Sequence, residues 1–407
     1  MIVRGGTVVT ASGVELADVA IQGGRITEVG PDLAEQREEI DATGLHVLPG
    51  GIDSHVHFNE PGRTDWEDIA HGTAALLAGG YTTFIDMPLN NLPVTTTVAA
   101  FDLKHAAMQR SAKCDYGLWG GLVPGNLGEI EPLVKRGVMG FKAFMCPSGI
   151  DEFPAADERT LREGMKRIAD LDSILLVHAE DPGMLREPRG PSADDFIESR
   201  PVEAEVSAIR NAIGWAEEAG CRLHIVHVSS SGGADLIVRS THDVSGETCP
   251  HYMLYVNRDM ARIGGTAKCA PPFRDAPMQM LPIVVSDHSP STLDLKRGDD
   301  FRKIWGGISG CQSTRQLLLA IKGLDVRDVA VATSTNIAYR FRIADKGDVA
   351  PGFDADLWLV DLDHEDVVRR KELLYKNPFS AHERQRIRGR TVKTLHGAPR
   401  FIRPGVR

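Results

Sequence analysis

Between residues 51 and 290 the chain repeats one unit, a short apolar run that ends in polar or ionisable residues and is followed by a stretch with helical spacing. Eight runs follow this form: "GIDSHVHF", "TTFIDMP", "YGLWGGLV", "VMGFKAFM", "SILLVHAED", "RLHIVHVSS", "VSGETCPHY" and "PIVVSDHSP". Strands this apolar need cover on both faces. Eight of them alternating with helices predict an α/β architecture, a closed parallel (β/α)8 barrel over residues 51–344. In such a barrel the loops after the strands' C-terminal ends converge on the active site. The ionisable residues closing each run are therefore where chemistry is expected.

The flanks have another texture. Short β-type runs with glycine turns occupy residues 1–50 ("DVAIQGGRITEVG"), and the pattern returns after 345 in "KGDVAPGFDADLWLVDL" and "GRTVKTLHGAP". Residues 1–50 and 345–407 are expected to form one small discontinuous β-sandwich domain beside the barrel. Three connections, near 181–191, 239–245 and 276–283, look too lean for a helical crossover of about ten residues or more.

Composition removes several functions. The chain has 407 residues, a formal net charge of −10 and no basic block, which argues against nucleic acid and anionic membranes as partners. No segment approaches the roughly 18 apolar residues of a membrane span. The N-terminus, "MIVRGGTVVTASG", reads as strand and turn rather than as a signal peptide. Six scattered cysteines with no C-x-x-C pair suit reduced thiols and a cytoplasmic location.

The strand ends, taken in order, offer His55 and His57, then Lys142, His178, His227 and Asp287. Residues i and i+2 of a strand share a face, so His55 and His57 point the same way and can serve one ion. By the same parity His224, three before His227, is expected to face the covering helices. Lys142 stands alone in an apolar run. A buried ammonium must be paired, neutralised or modified, and a neutral lysine can take up carbon dioxide as a carbamate. Snorkelling to the barrel mouth is the plainer alternative, as helix capping is for Asp287. Imidazole and carboxylate donors together suit zinc and its neighbours.

These residues sit inside longer stretches: "DSHVHFNEPGRTDWE", "GGYTTFIDMPLN", "FKAFMCPSGIDEFP", "ETCPHY", "KCAPPFRD", "VSDHSP" and "KIWGGISGCQS". In them the chain resembles the amidohydrolase superfamily, in its cyclic-amidase branch of dihydroorotases, hydantoinases and allantoinases, and the allantoinases most. The resemblance implies a TIM-like barrel with two divalent metal ions, zinc first, with manganese or cobalt also compatible. It assigns His55 and His57 to the first metal and His178 and His227 to the second. Carboxylated Lys142 would bridge them, and Asp287 would bind the first metal and shuttle protons. The implied reaction opens the cyclic amide of a small molecule, allantoin, to give allantoate. Dihydroorotase and hydantoinase or dihydropyrimidinase activities are the alternatives. Scaffold homologues that lose metal ligands are a remote one, since all six positions are intact here.

Dihydroorotases typically carry an arginine two residues after the second histidine, where this chain has Asn59, which fits a neutral substrate better. Asn59, Asn90 and Ser148 are the candidate substrate contacts, with simple turn-making the equal alternative for the last two. His251 and His288 lie at strand ends beside the site. Barrels of this branch often associate, so a homo-oligomer is a further expectation.

Overall fold

The computed structural model describes residues 1–405. Eight parallel barrel strands follow the eight apolar runs: β1 (Gly51–Val56), β2 (Tyr81–Asp86), β3 (Asp115–Leu118, resumed at Gly120–Gly121), β4 (Phe141–Phe144), β5 (Ile174–His178), β6 (Arg222–Ile225), β7 (Val244–Thr248) and β8 (Ile283–Val284). Each pairs with the next in parallel register. At β3 the chain changes partner: Asp115–Leu118 bonds β2, and Gly120–Gly121 bonds β4. A parallel bridge between Val56 and His288 closes the ring, with the His57 amide donating to the His288 carbonyl at 2.8 Å.

Every residue of β1, β2, β4 and β5 is buried, as strands covered on both faces must be. The covering helices show the complementary pattern. Helix Glu158–Asp170 buries Leu161, Gly164, Met165 and Ile168 along one stripe, and Asp157 caps it by accepting from the Thr160 amide at 2.8 Å.

The three lean connections do carry helices, placed away from where the apolar runs suggested. Between β5 and β6 the loop at 181–191 precedes helices Ala193–Glu198 and Val202–Ala219. Helix Ser231–Arg239 drops almost directly into β7. Between β7 and β8 the helices Pro250–Leu254 and Asn257–Ile263 come early, so residues 276–282 need only be an extended return to a two-residue β8.

The two ends of the chain share one seven-stranded sheet. Its order is Arg386–Leu395, Leu357–Val367, His46–Pro49, Ile2–Val9, Val14–Gln22 and Arg25–Gly30, with Glu39–Asp41 also bonded to Ile2–Val9. A bridge from Arg25 to Asp354 folds its far edge back toward the strand Leu357–Val367. The layers so formed enclose a separate apolar cluster including Val3, Val19, Ile26, Val47 and Leu357. Beyond it, residues near Phe401 return to the barrel and bridge Tyr116 of β3. Among the described residues no helix is long and apolar enough to cross a membrane, and all six cysteines are free and buried.

Candidate metal centre

At the C-terminal end of the barrel, His55, His57, His178, His227 and Asp287 line one cavity of about 330 Å³. Lys142 lies buried beneath them, close enough for its charge to be felt by His57, His178 and His227. The six sequence-predicted ligand positions therefore meet at a single place, from five strands.

The arrangement falls into two imidazole pairs. On one side Asp287 Oδ1 lies 3.2 Å from His55 Nε2 and 3.5 Å from His57 Nε2. On the other, His178 Nδ1 and His227 Nε2 are 3.0 Å apart with their rings edge to face. The His55 and His227 ring centroids are 5.5 Å apart, which joins the halves. His178 also stacks on Phe144, at 4.5 Å between centroids.

Each pair is backed by a buried acid that sequence reasoning passed over. Glu247, on β7, accepts from His55 Nδ1 at 2.5 Å and from His224 Nε2 at 3.0 Å. Glu180, two residues past the end of β5, accepts from His178 Nε2 at 2.8 Å and from Arg200 at 2.6 and 3.0 Å. These contacts fix the tautomers: with Nδ1 of His55 and Nε2 of His178 donating, His55 Nε2 and His178 Nδ1 turn their lone pairs into the cavity. Both acids stand in the quoted runs, "VHAED" and "GETCPHY". The signal was a carboxylate inside an otherwise buried strand end.

His224 corrects the parity argument. It does not face the covering helices; it lies fully buried on the same acid, Glu247, that holds His55. Alternation fails because the strand ends at Ile225 and His227 adopts a φ of +37°, so a three-residue offset no longer means opposite faces. Asp287 (φ +44°) and Asn90 (φ +75°) share this left-handed conformation, which non-glycine residues adopt at a cost. Such strain gathered around one cavity marks it as functional.

Charge in the site is poised rather than neutralised. Burial pushes the Lys142 amine down to about 7, although Glu247 and Asp287 pull it back up. Its Nζ has no hydrogen-bond partner among the described residues, and neither has His227 Nδ1. Burial works to raise the Asp287 carboxyl, but His55, His57 and His227 outweigh it and hold it well below the ordinary range. Burial lowers His57, His178 and His227, leaving neutral imidazoles. Neutral imidazoles, a carboxylate and a lysine amine whose proton is easily lost converge on one space, with buried polar atoms unpaired, a donor set that fits divalent cations.

The expected substrate contacts separate. Asn90 lines the cavity, and its carbonyl accepts from Arg63 at 3.2 Å. Ser148 also lines it, but its hydroxyl donates to the Phe153 carbonyl at 2.6 Å, the turn role. Asn59 is fully buried and outside the lining, with Nδ2 donating to Pro290 at 3.3 Å. His288 turns away to accept from the Gly310 amide, while His251 stays buried near Asp287 with both ring nitrogens unpartnered. Another unforeseen pair, Lys104 and Asp86 at 2.7 Å, anchors the Phe58 backbone next to His57.

Comparison with known proteins agrees with this geometry. Residues 46–269 match the amidohydrolase family. The chain is 47% identical to an allantoinase of Solibacter usitatus and 50% identical to one of Rubrobacter xylanophilus, each over 97% of this chain and 92% of the relative. Among solved structures it superposes on the L-hydantoinase (dihydropyrimidinase) of Arthrobacter aurescens with a TM-score of 0.94, at 29% identity and 99% coverage of both chains. The dihydropyrimidinase of Brevibacillus agri follows at 0.90 and 28%, covering 100% of this chain and 99% of that one.

Proposed function

Because the chain belongs to the amidohydrolase family, we propose that it is an allantoinase, hydrolysing the cyclic amide of allantoin to allantoate. The observation that carries the chemistry is the unpartnered Lys142 amine, buried between two imidazole pairs and Asp287. The near-full-length likeness to allantoinases supports the choice of substrate.

Two divalent ions complete this reading, zinc first, with manganese or cobalt suiting the same donors. His55, His57 and Asp287 would hold one, His178 and His227 the other, and Lys142, once carboxylated, would serve as a further ligand. Bound there, they supply a nucleophilic hydroxide at neutral pH and polarise the substrate carbonyl.

The chain's own groups do the rest. Asp287, kept ionised, accepts the nucleophile's proton on its carboxylate and returns it to the leaving ring nitrogen, since an amide nitrogen is a poor leaving group unless protonated. Glu247 and Glu180 hold His55 and His178 at fixed tautomers. A cavity of about 330 Å³ admits a single small heterocycle, and Asn90 on its wall offers amide groups to a ureido substituent. The structural likeness to hydantoinases favours hydantoin-type rings as the second substrate class.

The test is a parallel assay of metal-reconstituted protein, supplied with bicarbonate, on allantoin, hydantoin, dihydrouracil and dihydroorotate. Preference for allantoin is expected, with Asp287→Asn lowering kcat about 10²–10⁴-fold. Preference for dihydroorotate would overturn the reading and require a carboxylate-binding group in place of Asn59.

A further inference from the structure

In the same cavity as the imidazoles, residues 302–307 form a stretch of wall that includes Arg302, Ile304 and Trp305. This segment has no regular strand or helix to hold it. What it has is two buried lysines beneath its backbone. Lys268 Nζ donates to the carbonyls of Phe301 and of Ile304, the latter at 2.6 Å, and lies 4.7 Å from the centroid of the Phe196 ring. Lys296 Nζ donates to the carbonyls of Trp305 at 2.8 Å, of Gly307, and of Lys268 itself at 3.5 Å. The Gly307 amide then donates back to the Lys268 carbonyl at 2.7 Å, and the Trp305 amide to Leu295 at 2.9 Å.

A surface loop does not need two buried lysine amines. Each is costly to bury, and here the compensation comes from carbonyl oxygens rather than carboxylates. Carbonyl partners fix the path of the backbone and place no negative charge beside the cavity. The result is a wall braced from beneath, in the same cavity as the reacting groups, with the Trp305 ring packed edge to face on Trp66 at 4.8 Å. Lys268 also lines the cavity itself.

We propose that Lys268 and Lys296 are positioning residues for substrate: they clamp the 301–307 backbone so that the cavity wall meets the heterocycle in one fixed place. This rests on the reading of the cavity as a cyclic-amide site. A wall that only binds contributes equally to ground state and transition state, so its loss raises KM and leaves kcat in place.

The experiment compares Lys268→Met and Lys296→Met with wild type in metal-loaded form. Expected are a KM for allantoin raised about tenfold or more, kcat within about threefold, unchanged metal content, and faster hydrogen exchange confined to 301–307. Lys268→Gln and Lys296→Gln keep a donor and should recover part of the KM loss. An unchanged KM despite faster exchange would overturn the proposal, as would joint loss of kcat and bound metal. Failure of both the Met and the Gln variants to fold would also overturn it, by making the lysines purely structural. If wild type turns over hydantoin but not allantoin, the substrate assignment falls and the same KM comparison, made on hydantoin, still decides the clamp.

Discussion

The two ends of the barrel each bury a lysine, and the two are opposites. At the C-terminal end Lys142 is enclosed with no hydrogen-bond partner, and burial drives its amine down to about 7. At the N-terminal end, where the barrel meets the terminal sheet, Lys346 lies 2.8, 3.1 and 2.5 Å from Asp115, Asp354 and Asp356. Burial opposes its charge as well, but Asp356 and Asp115 outweigh that and raise its pKa. Both side chains are fully enclosed, so burial does not tell them apart. Direct pairing does: a lysine in contact with three aspartates is a clamp between layers, and one whose acids, Glu247 and Asp287, act on it without a hydrogen bond is held ready for chemistry.

The comparison is broken most directly by removing each lysine. Lys142→Met is expected to abolish turnover and lower bound metal below two ions per chain, measured by elemental analysis, with the fold intact. A variant that kept both metal and activity would remove Lys142 from the centre. Lys346→Met should do the reverse. It leaves Asp356 with no cation while Arg400 still pairs Asp115 and Asp354, a loss of about 3–5 kcal/mol in stability read from urea unfolding, with kcat per folded molecule unchanged.

How far the sequence foretold these sites depended on the range of the signal. The apolar runs revealed the barrel because each strand is a local pattern, and His55 and His57 were legible because both precede the point where the chain leaves extended geometry. His224 was misplaced because the left-handed turn at His227 is a tertiary feature that parity cannot see. Lys142 was legible as a lone cation in an apolar run, whereas Lys104 and Lys346 lie in ordinary polar surroundings and find their aspartates only through folding. The Lys268 and Lys296 clamp was illegible in principle, since its partners are backbone carbonyls and leave no residue type to recognise. Asn59 was read by its place after the histidine pair, but the chain turns its amide toward Pro290.

A smaller effect sharpens the contrast within the active end itself. Glu247 is held between two imidazoles: burial works to raise its pKa, and His55 and His224 hold it down at about 2. Glu180 answers to Arg200, which is charged at every working pH. Glu247→Gln and Glu180→Gln should each weaken metal binding about 10–100-fold, as measured by competition with a chelator. Glu180→Gln should also strand the Arg200 charge and lower stability, whereas Glu247→Gln removes an acid that is paired with imidazoles and with no guanidinium. Equal stability losses in the two variants would contradict the distinction.

The pH dependence of stability in metal-free protein without bicarbonate also differs between the two lysines. An unfolded lysine titrates near about 10.4. Lys142 titrates at about 7 when folded, so between those values the unfolded chain binds a proton that the native chain does not. Its contribution to stability therefore rises with pH across that window, by at most about 1.4 kcal/mol per pH unit. Lys346 has a raised folded pKa, so its contribution is fully present below about 10.4 and is lost as pH climbs through the folded value. Urea midpoints of wild type, Lys142→Met and Lys346→Met from pH 6.5 to 10.5 separate the two. The difference between wild type and Lys142→Met should slope upward, and that for Lys346→Met should stay flat across this range. A flat Lys142 difference would mean that its ammonium finds a partner in the metal-free protein, and the contrast between the two ends of the barrel would lose its basis.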